Sequence, residues 1–219
     1  MTRARWYELA PEALLGAGLL VFLIDETDAA TSAFKSPRAV ALMAAGTIAW
    51  VAVRVVLGRA LRRPGLRIAV LVPAALAILA VVVLPAYQDD RVVEVFPPAA
   101  AEAAPATTPS EPVRLRTGMF RGIDHRAAGA VNIYLGPDGR HVVGLEDFDI
   151  QPGPDYDLYV VPGSDREDRG AGLRLDDLRG NQGTQFYDVP AGADVGDGPW
   201  TVLVWCQTFG VPVAHATPV

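Results

Sequence analysis

Three long apolar runs occupy the first third of the chain, and short alternating runs occupy its second half. Ile68–Tyr87 is twenty residues without a charge, enough helix at about 1.5 Å per residue to cross about 30 Å of hydrocarbon. Ala39–Val53 is uncharged for fifteen residues and extends to Leu57 if Arg54 snorkels to the interface. Ala13–Ile24 is shorter, and Trp6 and Tyr7 can begin its helix at headgroup level. The pattern predicts three transmembrane helices, about 6–24, 39–57 and 67–87, forming a membrane anchor over residues 1–87. Ala13–Ile24 also has the length of a signal-peptide core behind Arg3 and Arg5. Either reading leaves the C-terminal half outside the cytoplasm.

From residue 113 the period changes from that of helices to that of strands. Val113–Phe120, Ala130–Leu135, Arg140–Phe148, Tyr156–Val161, Thr184–Val189, Trp200–Cys206 and Phe209–Ala216 are short β-rich runs. Turn signals separate them, among them Gly136-Pro-Asp-Gly139, Gln151-Pro-Gly-Pro154 and Gly180-Asn-Gln-Gly183. Residues 113–219 are thus expected to form an antiparallel β-sandwich or jelly-roll-like head. Within Trp200–Cys206, a period of two puts Val202, Val204 and Cys206 on one face and Thr201, Leu203 and Trp205 on the other. Both faces are largely apolar, which marks a central strand.

Between anchor and head, residues 88–112 read as a linker. Phe96–Pro112 (FPPAAAEAAPATTPSEP) holds five prolines and six alanines, a composition for extended polyproline II. At about 3.1 Å per residue, the 25 residues from Gln88 to Pro112 would reach on the order of 70–80 Å.

Charge then orients the chain. Residues 1–87 balance at +4 and residues 88–219 at −10, together the −6 of the whole. The acidic second half speaks against nucleic acid as a partner. Arg59, Arg62, Arg63 and Arg67 put the second loop in the cytoplasm, with Arg3 and Arg5 holding the N-terminus there. The expected protein is a multi-pass cell-membrane protein with its C-terminal domain extracytoplasmic, its partners being the bilayer and an envelope redox or binding partner. No ionisable group lies at mid-depth in the spans, which speaks for an anchor over a proton or ion path. Ala41, Ala45 and Ala49 form a small-residue stripe suited to close helix packing.

Candidate chemistry centres on Cys206, the single cysteine. It cannot form an intrachain disulfide, and in an oxidising compartment it is a reactive thiol, an intermolecular crosslink, a cofactor ligand or a structural core thiol. No CxxC dithiol is present, which excludes thioredoxin-like exchange within the chain. Met119 and His125 are the residues that could supply haem axial ligands, although a lone histidine in a turn is more often a hydrogen-bonding residue. His141 and His215 read as structural, and no spacing marks a zinc or copper site. The acidic residues of the head read as solvated faces and turn caps, with Asp155 closing a turn before Tyr156.

Taken together, several pieces of the head resemble one family. They are Gly118-Met-Phe120 with His125 and Gly129, Leu145 with Phe148, Gly153-Pro-Asp-Tyr-Asp-Leu-Tyr159, Leu178-Arg-Gly-Asn-Gln-Gly183 with Gln185, Tyr187 and Pro190, and Val202-Leu-Val-Trp-Cys206 with Phe209. In this order they are similar to the DM-13, or electron-transfer DM, domain over essentially all of residues 113–219. The resemblance implies a β-sandwich-type extracytoplasmic module acting in electron transfer or oxidative modification. It would act through its signature cysteine, here Cys206, as a thiol or as the ligand of a redox cofactor such as haem. A rival reading makes the head a non-enzymatic binding domain with Cys206 as core filler. One departure from the family pattern, Gly163–Gly172 (GSDREDRGAG), is expected only to lengthen a surface loop.

Overall fold

The computed structural model describes residues 6–25, 36–83, 88–97, 111–190 and 198–219. Arg3, Arg5, the first loop and most of the Pro/Ala-rich run lie outside them. The chain divides into two compact units, Met1–Tyr87 and Gln88–Val219.

The first unit is helical. A 3-10 turn at Trp6–Leu9 leads into α1 (Ala10–Asp25), followed by α2 (Pro37–Ala60) and α3 (Pro64–Val83). Each is long and apolar enough to cross a membrane. α2 starts two residues before the expected span because Ser36 caps it, its side chain accepting from the Ala39 N–H at 3.3 Å, with Pro37 in the first turn. Large apolar side chains such as Ile48 (70% exposed) and Val81 (75%) point outward, as a lipid-solvated helix requires. Arg54 forms an ion pair with Glu12 and donates to the Glu8 carbonyl at 3.2–3.3 Å, joining α2 to the start of α1. Gly18 packs beneath Leu79, tying α1 to α3. Ala41, Ala45 and Ala49 are exposed, so the small-residue stripe packs on none of the described helices.

The second unit is a two-sheet sandwich, and the all-β head with three helices before it matches the expected architecture. Its strands are β1 (Arg91–Val93), β2 (Val113–Met119), β3 (Arg121–Gly122), β4 (Ala127–Leu135), β5 (His141–Ile150), β6 (Tyr156–Pro162), β7 (Leu173–Asp177), β8 (Gln182–Asp188), β9 (Trp200–Cys206) and β10 (Val211–Ala216). Sheet A has the order β1-β8-β5-β4-β2, and sheet B the order β3-β10-β9-β6-β7. Every pairing is antiparallel except β1 on β8, which is parallel. The inner faces share one core, with Val131, Leu145, Phe148 and Tyr187 from sheet A meeting Leu158, Val160, Val202 and Val204 from sheet B. On β9 the expected alternation holds: Val202, Val204 and Cys206 face that core, while Leu203 and Trp205 join a smaller cluster with Tyr159 and Val161 on the outer side.

Three strands depart from the sequence expectation, the shortest being the two-residue β3. β7 reads Leu-Arg-Leu-Asp-Asp, and its charged alternation hides an edge strand whose Arg and Asp side chains face water. β1 lies inside the stretch read as linker. It precedes the Pro/Ala-rich run, so that run connects β1 to β2 within the second unit, and the 70–80 Å spacer does not follow from it. Proline content drew the linker too early, because Val92, Glu94 and Phe96 supply contacts before the first proline.

Candidate functional site

Cys206 ends the central strand of sheet B. Its register neighbours are Tyr156 on β6 and Val211 on β10. The side chain is 2% exposed, and the thiol donates to the Pro154 carbonyl at 3.3 Å. The hairpin to β10 closes through the Gly210 N–H on the Cys206 carbonyl at 2.8 Å. On the other side, Gln207 N–H donates to the Asp155 carbonyl at 2.9 Å. The sulfur therefore lies beneath one turn, Gly153-Pro-Asp155.

That turn is tightly specified. Asp155 holds a left-handed φ of 59°, a conformation that Asp and Asn tolerate better than most residues. It closes the turn before Tyr156, as the sequence indicates. A Cβ at Gly153 would overlap the Tyr156 hydroxyl, which folds back to donate to the Gln151 carbonyl at 3.4 Å. Glycine leaves the phenol its place there, and a larger residue would displace the hydroxyl. Beside the turn opens a cavity of about 210 Å³, with Pro152, Gly153, Asp155 and Tyr156 on one side and Gln88 and Asp90 on another.

The outer side of the same strand end carries a polar network. Asp157, buried, receives both Nε and Nη2 of Arg174 at 2.8 and 2.9 Å and a hydrogen bond from Gln207. Burial pushes the Asp157 carboxyl up, but the hydrogen bonds from Arg174 and Gln207 outweigh it and hold the group below its ordinary value. Gln207 also donates to the Tyr159 hydroxyl at 2.7 Å. Arg169, from the Gly163–Gly172 insertion, lies 4.7 Å from the Trp205 ring centroid and 5.8 Å from that of Tyr159, within cation–π range. Arg166 N–H bonds Thr201 Oγ1 at 3.0 Å, and that hydroxyl donates to the Gly163 carbonyl at 2.7 Å. The insertion therefore does more than lengthen a loop: it is fastened to sheet B and covers its outer aromatic pair.

A second network surrounds Gly180-Asn-Gln-Gly183. Gly183 has φ +105°, and a Cβ there would also overlap the Val92 carbonyl oxygen of β1. Asn181 accepts from the Asp90 N–H at 2.6 Å and donates to Asp89 and to the Ile150 carbonyl at 2.8 and 2.9 Å. The fully buried Gln185 accepts from the Tyr187 hydroxyl at 2.6 Å and donates to the Gly180 carbonyl at 2.7 Å. Burial pushes the Tyr187 phenol up to about 12. Arg179 sits 4.6 Å from the Tyr187 ring centroid and grips Glu94 at 2.6 and 2.7 Å. These residues were singled out in the sequence, but their task of seating β1 was not visible there.

The other candidates lie elsewhere in the head. Met119 ends β2 with its side chain 65% exposed. His125 is half-buried in the bend after β3, its Nδ1 2.9 Å from the Ile123 carbonyl. His141 opens β5, and His215 is buried on β10 with Nδ1 3.8 Å from Asp165. Haem does not fit at Cys206 as the sulfur is placed. Sγ is enclosed and engaged with a backbone carbonyl, and the adjoining cavity is smaller than the roughly 300–1,000 Å³ of ordinary small-molecule and cofactor sites.

Among known families, residues 119–217 match the model described as electron transfer DM13. No curated protein and no solved structure matches the chain. The matched stretch spans β3 through β10, the Gly153–Asp155 turn and Cys206, and so the greater part of this sandwich matches the electron transfer DM13 family.

Proposed function

We propose that this protein is a membrane-anchored electron-transfer module whose DM13 head faces the extracytoplasmic side and works through the Cys206 thiol. The observation that carries the reading is the family match over a domain whose only cysteine closes the Trp-Cys piece of the resemblance. The three membrane-length helices support the anchor, and the arginines between α2 and α3 support a cytoplasmic second loop. The chemistry is thiol–disulfide exchange with an envelope partner carrying a disulfide. The Cys206 thiolate attacks one partner sulfur, and the new S–S bond joins the two proteins. The partner's own S–S bond breaks, and its leaving sulfur takes up the proton that Cys206 gave away. A thiol donor reverses the step. Access to the sulfur requires only that the Gly153–Asp155 turn lift, without loss of the core.

The 2% exposure of Cys206 favours a second reading, in which the thiol is core filler and the head binds a partner without redox chemistry. Incubating the full chain in detergent micelles with oxidised glutathione separates the two. The redox reading predicts a mixed disulfide on the folded protein, reversed by reduced glutathione and lost in Cys206→Ser. Adduct formation only after unfolding would leave the binding reading standing.

A further inference from the structure

We propose that residues 88–96 form a releasable strap whose docking on sheet A controls access to the Cys206 thiol; the inference rests on the redox reading for its consequence and on separate contacts for its geometry. The strap lies outside the family-matched stretch and precedes it in the chain. Three sets of contacts seat it. Asn181 fixes Asp89 and Asp90, and the missing Cβ atoms of Gly180 and Gly183 leave room for Asp90 and Val92. Glu94 binds Arg179 and accepts from the Phe186 N–H at 2.9 Å. Phe96 meets Tyr134 and Phe186 edge-on, with centroids 5.4 and 5.3 Å apart.

Gln88 and Asp90 then line the same cavity as Pro152, Gly153, Asp155 and Tyr156. The Gly153–Asp155 turn holds the carbonyl to which the thiol is bonded. With the strap docked, Gln88 and Asp90 narrow the approach to the turn from that cavity. With the strap gone, the cavity loses these two lining residues, Asn181 loses its bonds to Asp89 and Asp90, and the turn over Sγ is open to reactants from that side. The strap has the physical marks of a segment that opens before the core does. Its strand is three residues long, it sits at a sheet edge in a parallel pair, and its main ion pair is exposed.

The test uses the full chain in micelles, where maleimide labelling reports Cys206 alone because no other cysteine exists. Glu94→Ala with Phe96→Ala weakens the strap without altering the sandwich, and Arg179→Ala removes the grip on Glu94. Amide exchange over residues 90–95 reports release. We expect protection there to fall while the core amides stay protected, and labelling to accelerate by about tenfold or more, as for a site freed from a local opening step. Release with unchanged labelling overturns the proposal. So does retention of full protection in both variants, which would make the segment a fixed part of the fold. Faster labelling without any glutathione exchange would keep the gate and reject the redox reading.

Discussion

The two sheets of the head solve one problem in two ways. Each has an apolar outer face that a two-layer sandwich leaves open to water. On sheet B, the face of Tyr159, Leu203 and Trp205 is covered from within the matched domain by the Gly163–Gly172 insertion, with Arg169 stacked on the aromatics. On sheet A, Tyr134 and Phe186 are met by Phe96, which comes from outside the matched stretch. The comparison teaches that the cover of sheet B travels with the domain, whereas that of sheet A depends on the chain that leads into it. Both covers are polar or proline-flanked segments, which is why neither announces itself by hydrophobicity.

The comparison can be broken by substitutions of graded severity. Gly183→Ala should cost the most, about 3 kcal/mol, because it adds backbone strain at positive φ to the overlap with Val92; urea unfolding of the full chain would show a lowered midpoint. Asp157→Asn removes the buried carboxylate that Arg174 and Gln207 share beneath the cover of sheet B, and about 2 kcal/mol should be lost in the same assay, the half-exposed arginine and its remaining pair with Asp177 tempering the effect. Arg169→Ala removes the cation–π contacts and should cost about 1 kcal/mol, with Trp205 reporting the change by fluorescence. Glu94→Ala breaks one exposed ion pair and should cost at most about 1 kcal/mol globally, although it loosens the strap locally. If the sheet B variants loosened residues 88–96 as much as Glu94→Ala does, the two covers would not be independent.

At neutral pH the buried tyrosines add nothing to this contrast, but in alkali they do. Burial pushes the Tyr187 phenol up to about 12, and burial with the hydrogen bond to Glu146 does the same for Tyr134. Both stay protonated in the folded head while their unfolded counterparts ionise near 10. The stability they protect is therefore intact below pH 10 and lost as pH rises towards 12. Denaturation midpoints at pH 8, 10 and 11.5 should fall across that window only.

Much of the sandwich was legible because alternation is a local signal. The Val202, Val204 and Cys206 face, the turn at Asp155 and the strand-length runs all came from neighbouring residues. What stayed hidden depends on distant pairings. Gly183 reads as part of a turn signal, but nothing near it says that Val92 will lie against it. β7 hides in its charges, and β1 hides beside prolines. For the candidate site, the sequence locates Cys206 at a strand end, while its enclosure under Pro154 arises from β6 folding beside β9. Arg169 belonged to a stretch read as insertion, and only its spatial neighbours reveal what it covers.

The central claim is that Cys206 reacts from the folded head, and its most direct test is the rate of thiol exchange measured against urea concentration. Local lifting of the Gly153–Asp155 turn exposes little surface, so the rate should be nearly independent of urea well below the unfolding midpoint. A rate that rises from zero urea with the full slope of global unfolding would mean that the sulfur is reached only when the sandwich comes apart, and would contradict the account.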